Sequence, residues 1–341
     1  MPMRYNIDRL RLLAEQVLTE KGMSAKDASV LADSMLSADA CGVSTHGIRM
    51  LPSYVQKMER GEFSFGSPAI IKQMPAFTVM DARNVVGAVS AVCATKIAME
   101  MAKTSGIHVV FVRNSNTFGP GFYYAEMMAN AGMIGLACSN SPAAMPAYNG
   151  LEAMLGTNPL AFASPTKSFG NVVIDMATSA VAKSRFGTAK ENGEKLQPGW
   201  ALDKNGNPTT DPDEGIQGFV LPMAGFKGYG LAMMIDLVSG LLSGAGYLNK
   251  VGKFYSKDGE CMNVGHVFAA IHPDLIYDGD YLTEADNYVK RITASKAVDG
   301  KTIILPGEDR KRKREEAMAS GIELTESVAG KLEQLFGETL T

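Results

Sequence analysis

The chain has 341 residues, room for about two domains of ordinary size and a sizeable core. With 46% hydrophobic and 20% charged residues, 35 Gly and 15 Pro, its composition is that of a folded globular protein and excludes disordered, collagen-like and disulfide-scaffold chains. The 33 Lys+Arg set against 36 Asp+Glu leave a formal net charge of -3, so no global field draws the chain to nucleic acid or to an acidic membrane, and neither is expected as a partner.

The opening MPMRYNIDRL is charged and lacks the apolar stretch of a secretory signal, and no run approaches the ~18 apolar residues of a membrane span, so a cytoplasmic location is expected. Ile7, Leu10, Leu13, Val17 and Leu18 recur at helical spacing within 6–22 and predict a first helix. Ser24 followed by Asp27 reads as a capping signal for a second helix that runs out near Gly42, and a third helix is expected from Gly47 to about Arg60. After Pro68 the pattern changes to strands alternating with helices: strands at 76–80, 107–112, 134–138, 160–163 and 172–174, helices at 87–104 and 122–131. Turn residues punctuate 190–218, an apolar helix is expected over 230–242, and the end of the chain is helical again from 284–296 and from Glu308 onward. The reading is an α/β fold in two parts, a helical domain built from 1–70 plus 280–341 and a central α/β region over 71–279.

The basic run 310–314 is followed at once by Glu315 and Glu316 and reads as a solvated helix face rather than a nucleic-acid patch. Cys41, Cys93, Cys138 and Cys261 stand far apart with no CxxC pair and read as reduced, buried thiols; with no HxH or HExxH spacing, no metal is expected.

His46 stands in the small-residue loop Gly42-Val43-Ser44-Thr45-His46-Gly47, where an imidazole is either an acid/base group or a loop histidine bonded to a backbone carbonyl. Arg49 and Tyr54 follow at three and eight residues, and a guanidinium beside such a histidine suits an anionic substrate. His108, His266 and His272 read as structural. The GxGxxG fingerprint is absent, which disfavours an ordinary Rossmann domain. The stretches 155–160 and 224–230 place glycines where backbone could approach a phosphate, or could simply turn tightly; Lys227 ahead of a helix start adds positive charge. Asp175, at the carboxyl end of a strand, is either a cap or a carboxylate that orients a histidine or ligand.

In order along the chain stand Gly42-Val43-Ser44-Thr45-His46-Gly47 with Leu51-Pro52 and Tyr54, Leu155-Gly156-Thr157-Asn158-Pro159-Leu160, Asp175-Met176-Ala177-Thr178-Ser179, Gly199-Trp200-Ala201-Leu202-Asp203, Lys227-Gly228-Tyr229-Gly230-Leu231 and Pro306-Gly307-Glu308. Together they resemble the type 2 malate/L-lactate dehydrogenase family over nearly the whole chain. That resemblance implies a non-Rossmann nicotinamide-binding fold, NAD or NADP as cofactor, a homodimer, and hydride transfer between nicotinamide and a small 2-hydroxy or 2-oxo acid. It implies His46 as the proton donor and acceptor with Asp175 paired to it, Arg49 on the substrate carboxylate, and Tyr54 and Thr117 beside the substrate. Cofactor contacts are implied for Ser141, Met176, Ala177, Thr178, Ser179, Phe226, Lys227, Gly307, Glu308 and Asp309, within segments that lie mostly over 115–230.

Two departures stand out. Many relatives carry a histidine where this chain has Thr117, which does not titrate near neutral pH, and Arg49 lies one residue short of the usual place of the substrate arginine, where Met50 stands. One residue is about 100° of helical rotation. The alternatives to a 2-hydroxy acid dehydrogenase are reduction of a cyclic imino acid and a catalytically silent nucleotide-binding protein.

Overall fold

In the computed structural model, which describes residues 3–256 and 259–340, β1 (Met3–Tyr5) leads into α1 (Ile7–Glu20), started by the Asn6 side chain, which accepts from the Arg9 N–H. Ser24 caps α2 (Ala25–Ala40) in the same way through the Asp27 N–H, as its spacing predicted. Two 3-10 turns separate α2 from α3 (Leu51–Glu59). Leu10, Leu18, Leu31, Met35, Ile48 and Leu51 from these elements close one core, and Ala317, Ile322, Leu324 and Leu332 from the far end of the chain join it.

The central region follows as β2 (Ala69–Gln73), β3 (Phe77–Asp81), α4 (Gly87–Ser105), β4 (Ile107–Ser115), α5 (Gly121–Asn130), β5 (Ile134–Ser139), β6 (Met145–Pro146), β7 (Ala153–Leu155), β8 (Leu160–Ser164) and β9 (Val172–Met176). The polar excursion is ordered: α6 (Ser184–Asn192), β10 (Ala201–Leu202), β11 (Pro208–Thr209), α7 (Pro212–Gln217) and β12 (Phe219–Val220) surround a small core centred on Phe186. Then come α8 (Phe226–Ile235), continued by a π-helical turn over Asp236–Leu241, and β13 (Val264–Ile271). The last elements are α9 (Tyr281–Thr293), α10 (Glu308–Ser320), β14 (Ile322–Leu324) and α11 (Glu326–Phe336).

Seven strands form one sheet in the order β2-β3-β4-β13-β5-β8-β9. Alternation of strands and helices usually signals a parallel sheet, yet β3 and β4 are its one parallel pair, joined by the α4 crossover, and the other neighbours run antiparallel. This mixed sheet is unlike the doubly wound arrangement that carries GxGxxG. The chain ends are joined by pairing of β1 with β14, Met3 opposite Leu324. The helix expected from Glu308 onward is interrupted: Gly321, at φ 83°, ends α10, and β14 intervenes before Thr325 caps α11.

Residues 281–293, grouped by sequence with the helical part, are tied to the edge of the sheet instead. Asp286 accepts from the Lys167 and Ser168 N–H groups at 2.9 and 3.0 Å, and Tyr281 Oη lies 2.7 Å from Ser164 Oγ.

Candidate active site

Three segments converge on a cavity of about 110 Å3. The loop after α2 brings His46, the turn after β4 brings Thr117, Phe118 and Gly119, and the end of β5 brings Ser139, Asn140 and Ser141; Thr157, Pro159, Met262 and Val264 complete much of the rest. The His46 loop is a run of tight backbone turns, with the His46 N–H on Val43 O at 3.0 Å and the Gly47 N–H on Ser44 O at 3.1 Å. His46 Nδ1 lies 3.0 Å from Thr45 Oγ1. That contact leaves Nε2 for another partner. Burial lowers the imidazole pKa from its ordinary value, so the ring is neutral at neutral pH.

The opposite wall is fixed by buried amides. Asn140 donates to Asp236 Oδ1 at 3.1 Å and Gly246 O at 2.7 Å and accepts from the Gly265 N–H, while Asn158 accepts from the Ser141 N–H and donates to Ala232 O. Gly156 is needed because a Cβ there would collide with the Ser141 carbonyl. Thr178 donates both its N–H and its Oγ1 to Thr157 O, at 2.9 and 3.0 Å, which lays the 175–179 segment against this wall. Behind it, His266 Nδ1 and Nε2 lie 2.8 Å from Ser139 Oγ and Ser115 Oγ, and the ring stacks on Phe118 at 4.6 Å. Burial pushes its pKa down to about 3, the state of a structural histidine.

Asp175 closes β9. Its Oδ2 accepts from the Phe122 N–H at 3.0 Å and lies 3.7 Å from Arg310 Nη1. Burial raises the carboxyl pKa, opposed by the Phe122 hydrogen bond and the Arg310 charge. The pairing of Asp175 with His46 is therefore not made: the carboxylate is taken by the first turn of α5 and by α10, and His46 is bonded to its own neighbour.

The basic run is also less solvated than its sequence suggested. Arg310 and Arg314 turn inward over the Phe122 ring, at 5.4 and 5.8 Å, and Arg314 pairs with Glu126, whereas Arg312 and Lys313 pair along their own helix with Asp309. These contacts seat the start of α10 beside β9, where a Cβ on Gly307 would stand 2.8 Å from Val173 O. Gly307, Glu308 and Lys311 line a second cavity of about 220 Å3 with Val172.

At the start of α8, Ala224 and Gly225 turn through positive φ, 49° and 60°, and nothing lies within 4 Å of the position a Gly225 Cβ would take. Phe226 and Lys227 are exposed there. Open space before a helix N-terminus flanked by a lysine fits a phosphate-bearing group. Among the described residues no group of three or more His, Cys, Asp or Glu is placed to hold a metal ion, and no helix is long and apolar enough to cross a membrane.

The malate/L-lactate dehydrogenase family model matches residues 5–333. The chain belongs to the malate/L-lactate dehydrogenase family. It is 34% identical over 330 residues to malate/(S)-sulfolactate dehydrogenase of Methanothermus fervidus, covering 96% of each chain. It is 32% identical to (2R)-3-sulfolactate dehydrogenase (NADP(+)) of Chromohalobacter salexigens, over 94% of each. Its fold superposes with a TM-score of 0.92 on sulfolactate dehydrogenase from Methanocaldococcus jannaschii, 32% identical, over 99% of this chain and 98% of that one.

Of the residues that resemblance to this family singled out, His46, Thr117 and Ser141 share the cavity. Thr178 is bonded to its wall, with Ser179 buried, Ala177 half-buried and Met176 exposed beside it. Arg49 is exposed on the turn after His46, and Met50 Sδ lies 3.0 Å from Tyr255 Oη. Tyr54 lies outside that cavity: at 3% exposure its ring packs in the core on Phe63 and Phe254, with centroids 6.0 and 5.2 Å away. Sequence reasoning missed Phe118, Ser139, Asn140, Met262 and Val264, whose roles depend on chain crossings that no local pattern announces; the Gly156-Thr157-Asn158-Pro159 motif was the one signal for that wall.

Proposed function

We propose that the protein is an NAD(P)-dependent dehydrogenase that interconverts a small 2-hydroxy acid and its 2-oxo acid. Membership of the family and the placement of His46 in a cavity opposite Ser141 carry this reading. Of the side chains lining that cavity among the described residues, His46 is the one acid/base group.

When bound, the nicotinamide supplies or takes the hydride. His46, neutral in the free protein, accepts the hydroxyl proton at Nε2 as the hydroxy acid is oxidised and returns it to the carbonyl oxygen in the reverse direction. Thr117 offers the substrate oxygen a hydrogen bond without exchanging a proton. Arg49 holds the carboxylate from the turn that follows His46. Asp175 ties α5 and α10 to β9 next to the cofactor segment. Ser141, Met176, Ala177, Thr178 and Ser179 would hold one part of NAD or NADP, Phe226 and Lys227 a phosphate-bearing part, and Gly307, Glu308 and Asp309 the remainder. The non-Rossmann α/β region over 71–279 would carry the cofactor, with the helical part of both chain ends covering the substrate.

The same reading assigns a homodimer in the cytoplasm. Phe226, Met233, Met234, Leu237, Leu241 and Leu242 are exposed along α8 and its continuation, an apolar row suited to a second copy of the chain.

The test is absorbance at 340 nm with purified protein, NADH or NADPH, and a panel of 2-oxo acids and cyclic imines. Cofactor oxidation with a 2-oxo acid, lost in a folded His46→Ala variant, is the expected result. Full turnover by His46→Ala removes the role given to that residue, and turnover with cyclic imines alone moves the substrate class.

A further inference from the structure

We propose that Asp39 is the positioning residue of the His46 loop, holding the imidazole in its place at the cavity; this rests on the reading of His46 as the proton-transfer group. Asp39 stands at the end of α2, and its Oδ2 accepts from the Ile48 N–H at 2.6 Å. Ile48 is fully buried, so its N–H would lack a partner without this carboxylate. The other contact is with Gly47. At φ -84° Gly47 has a backbone conformation open to any residue, yet a Cβ there would stand inside the Asp39 carboxylate. Glycine is required at 47 by the approach of Asp39 rather than by the turn.

The two contacts fall on the two residues directly after His46, while the residues before it are held by the Val43 N–H on Ala38 O at 2.8 Å. The loop is thus pinned on both sides of His46 from the last turn of α2. Asp39 does not line the His46 cavity; it lines another, of about 310 Å3, together with Ser44, Arg4, Lys313, Glu316 and Glu323. It acts through the loop, and the Arg49 charge bears on its carboxyl.

The test measures turnover with the 2-oxo acid found active, and the Kd of NADH or NADPH by fluorescence, in Asp39→Ala, Asp39→Asn and Gly47→Ala. Displacing a proton-transfer group by about 1 Å costs up to about 100-fold in rate, so Asp39→Ala is expected to lose about 10- to 100-fold in kcat with cofactor Kd unchanged. Asp39→Asn keeps an oxygen for the Ile48 N–H and is expected to recover most of the loss. Gly47→Ala displaces the carboxylate and is expected to behave like Asp39→Ala, which keeps the proposal testable if Asp39→Ala does not fold. Wild-type kcat in Asp39→Ala or Gly47→Ala overturns the proposal, as does a loss of cofactor affinity that parallels the loss of kcat. An inactive His46→Ala beside a fully active Asp39→Ala removes the Asp39 proposal alone, whereas a fully active His46→Ala removes the reading beneath it.

Discussion

His46 and Thr117 line the same cavity, one from the loop after α2 and the other from the turn after β4, and of the two only the imidazole can exchange a proton near neutral pH. A histidine at the second position would put two titrating groups before one substrate. Replacing Thr117 by His is therefore expected to add a second ionisation to the pH profile of kcat/KM, where the wild type shows one from the cavity. Identical profiles for the two proteins would mean that residue 117 does not face the reacting atoms.

The sign of the pH dependence follows from burial of His46. Its pKa is lowered, and burial is the cause. Oxidation of a hydroxy acid needs the neutral ring, so the His46 limb of kcat/KM should fall about tenfold per unit below a midpoint lying under the ordinary ~6.5. Reduction needs the protonated ring, and its kcat/KM should rise as pH falls through the same midpoint. Measuring both directions from acid to neutral pH checks the pair, and a midpoint above 6.5 in either direction would place a carboxylate beside the imidazole after all.

Asp175 supplies an independent check on that last point. Its carboxylate serves the Phe122 N–H and Arg310, so Asp175→Ala should leave those groups without their partner and cost about 1–3 kcal/mol in denaturant unfolding. The pH midpoint for hydroxy-acid oxidation should not move, because His46 makes no contact with Asp175. A fall in that midpoint in the variant would restore the pairing implied by resemblance.

Local signals carried much of the fold and part of the site. Ser24 with Asp27 announced α2 because a cap is a property of three or four consecutive residues, and for the same local reason apolar spacing over 6–22 announced α1 and the β-branched run 107–112 announced β4. Strand direction was not legible: β13, arriving from residue 264 onward, inserts between β4 and β5 and runs antiparallel to both. The same long-range insertion places Val264 on the His46 cavity and His266 behind Ser139. Arg310 and Arg314 were misread because charge pattern along a helix cannot show that a phenylalanine from another helix lies beneath it. Asp39 escaped notice because its partner is a backbone N–H nine residues away in a loop with no periodicity.

Tyr54 tests the distinction between a motif position that resemblance singles out and a contact with substrate. Packed between Phe63 and Phe254, it contributes its ring to the core. Tyr54→Phe should leave KM for the acid and kcat within about twofold, since the aromatic contacts persist. Tyr54→Ala should cost about 3–5 kcal/mol of stability, the usual penalty for emptying a buried aromatic site. A raised KM in Tyr54→Phe with unchanged stability would return the residue to the substrate.

The apolar row on α8 and its π-helical continuation makes the assembly testable with a single exposed side chain. Leu241 is 53% and Leu242 66% exposed, and neighbouring Leu237, Met233 and Met234 extend the surface toward Phe226. Leaving such a row in water is unfavourable by roughly 25 cal/mol for each Å2 of apolar surface, which pairing with a second copy would recover. Light scattering should therefore give the wild type a mass near twice the 36.4 kDa of the chain. Leu241→Arg should shift it to the single-chain mass without unfolding, because the side chain projects into solvent and a guanidinium buried at an interface without a partner is strongly unfavourable. Phe226 and Lys227 begin the same helix, so the monomeric variant should also bind NADH or NADPH more weakly. A wild type that is already monomeric, or a Leu241→Arg variant that stays dimeric, would place the contact elsewhere on the surface.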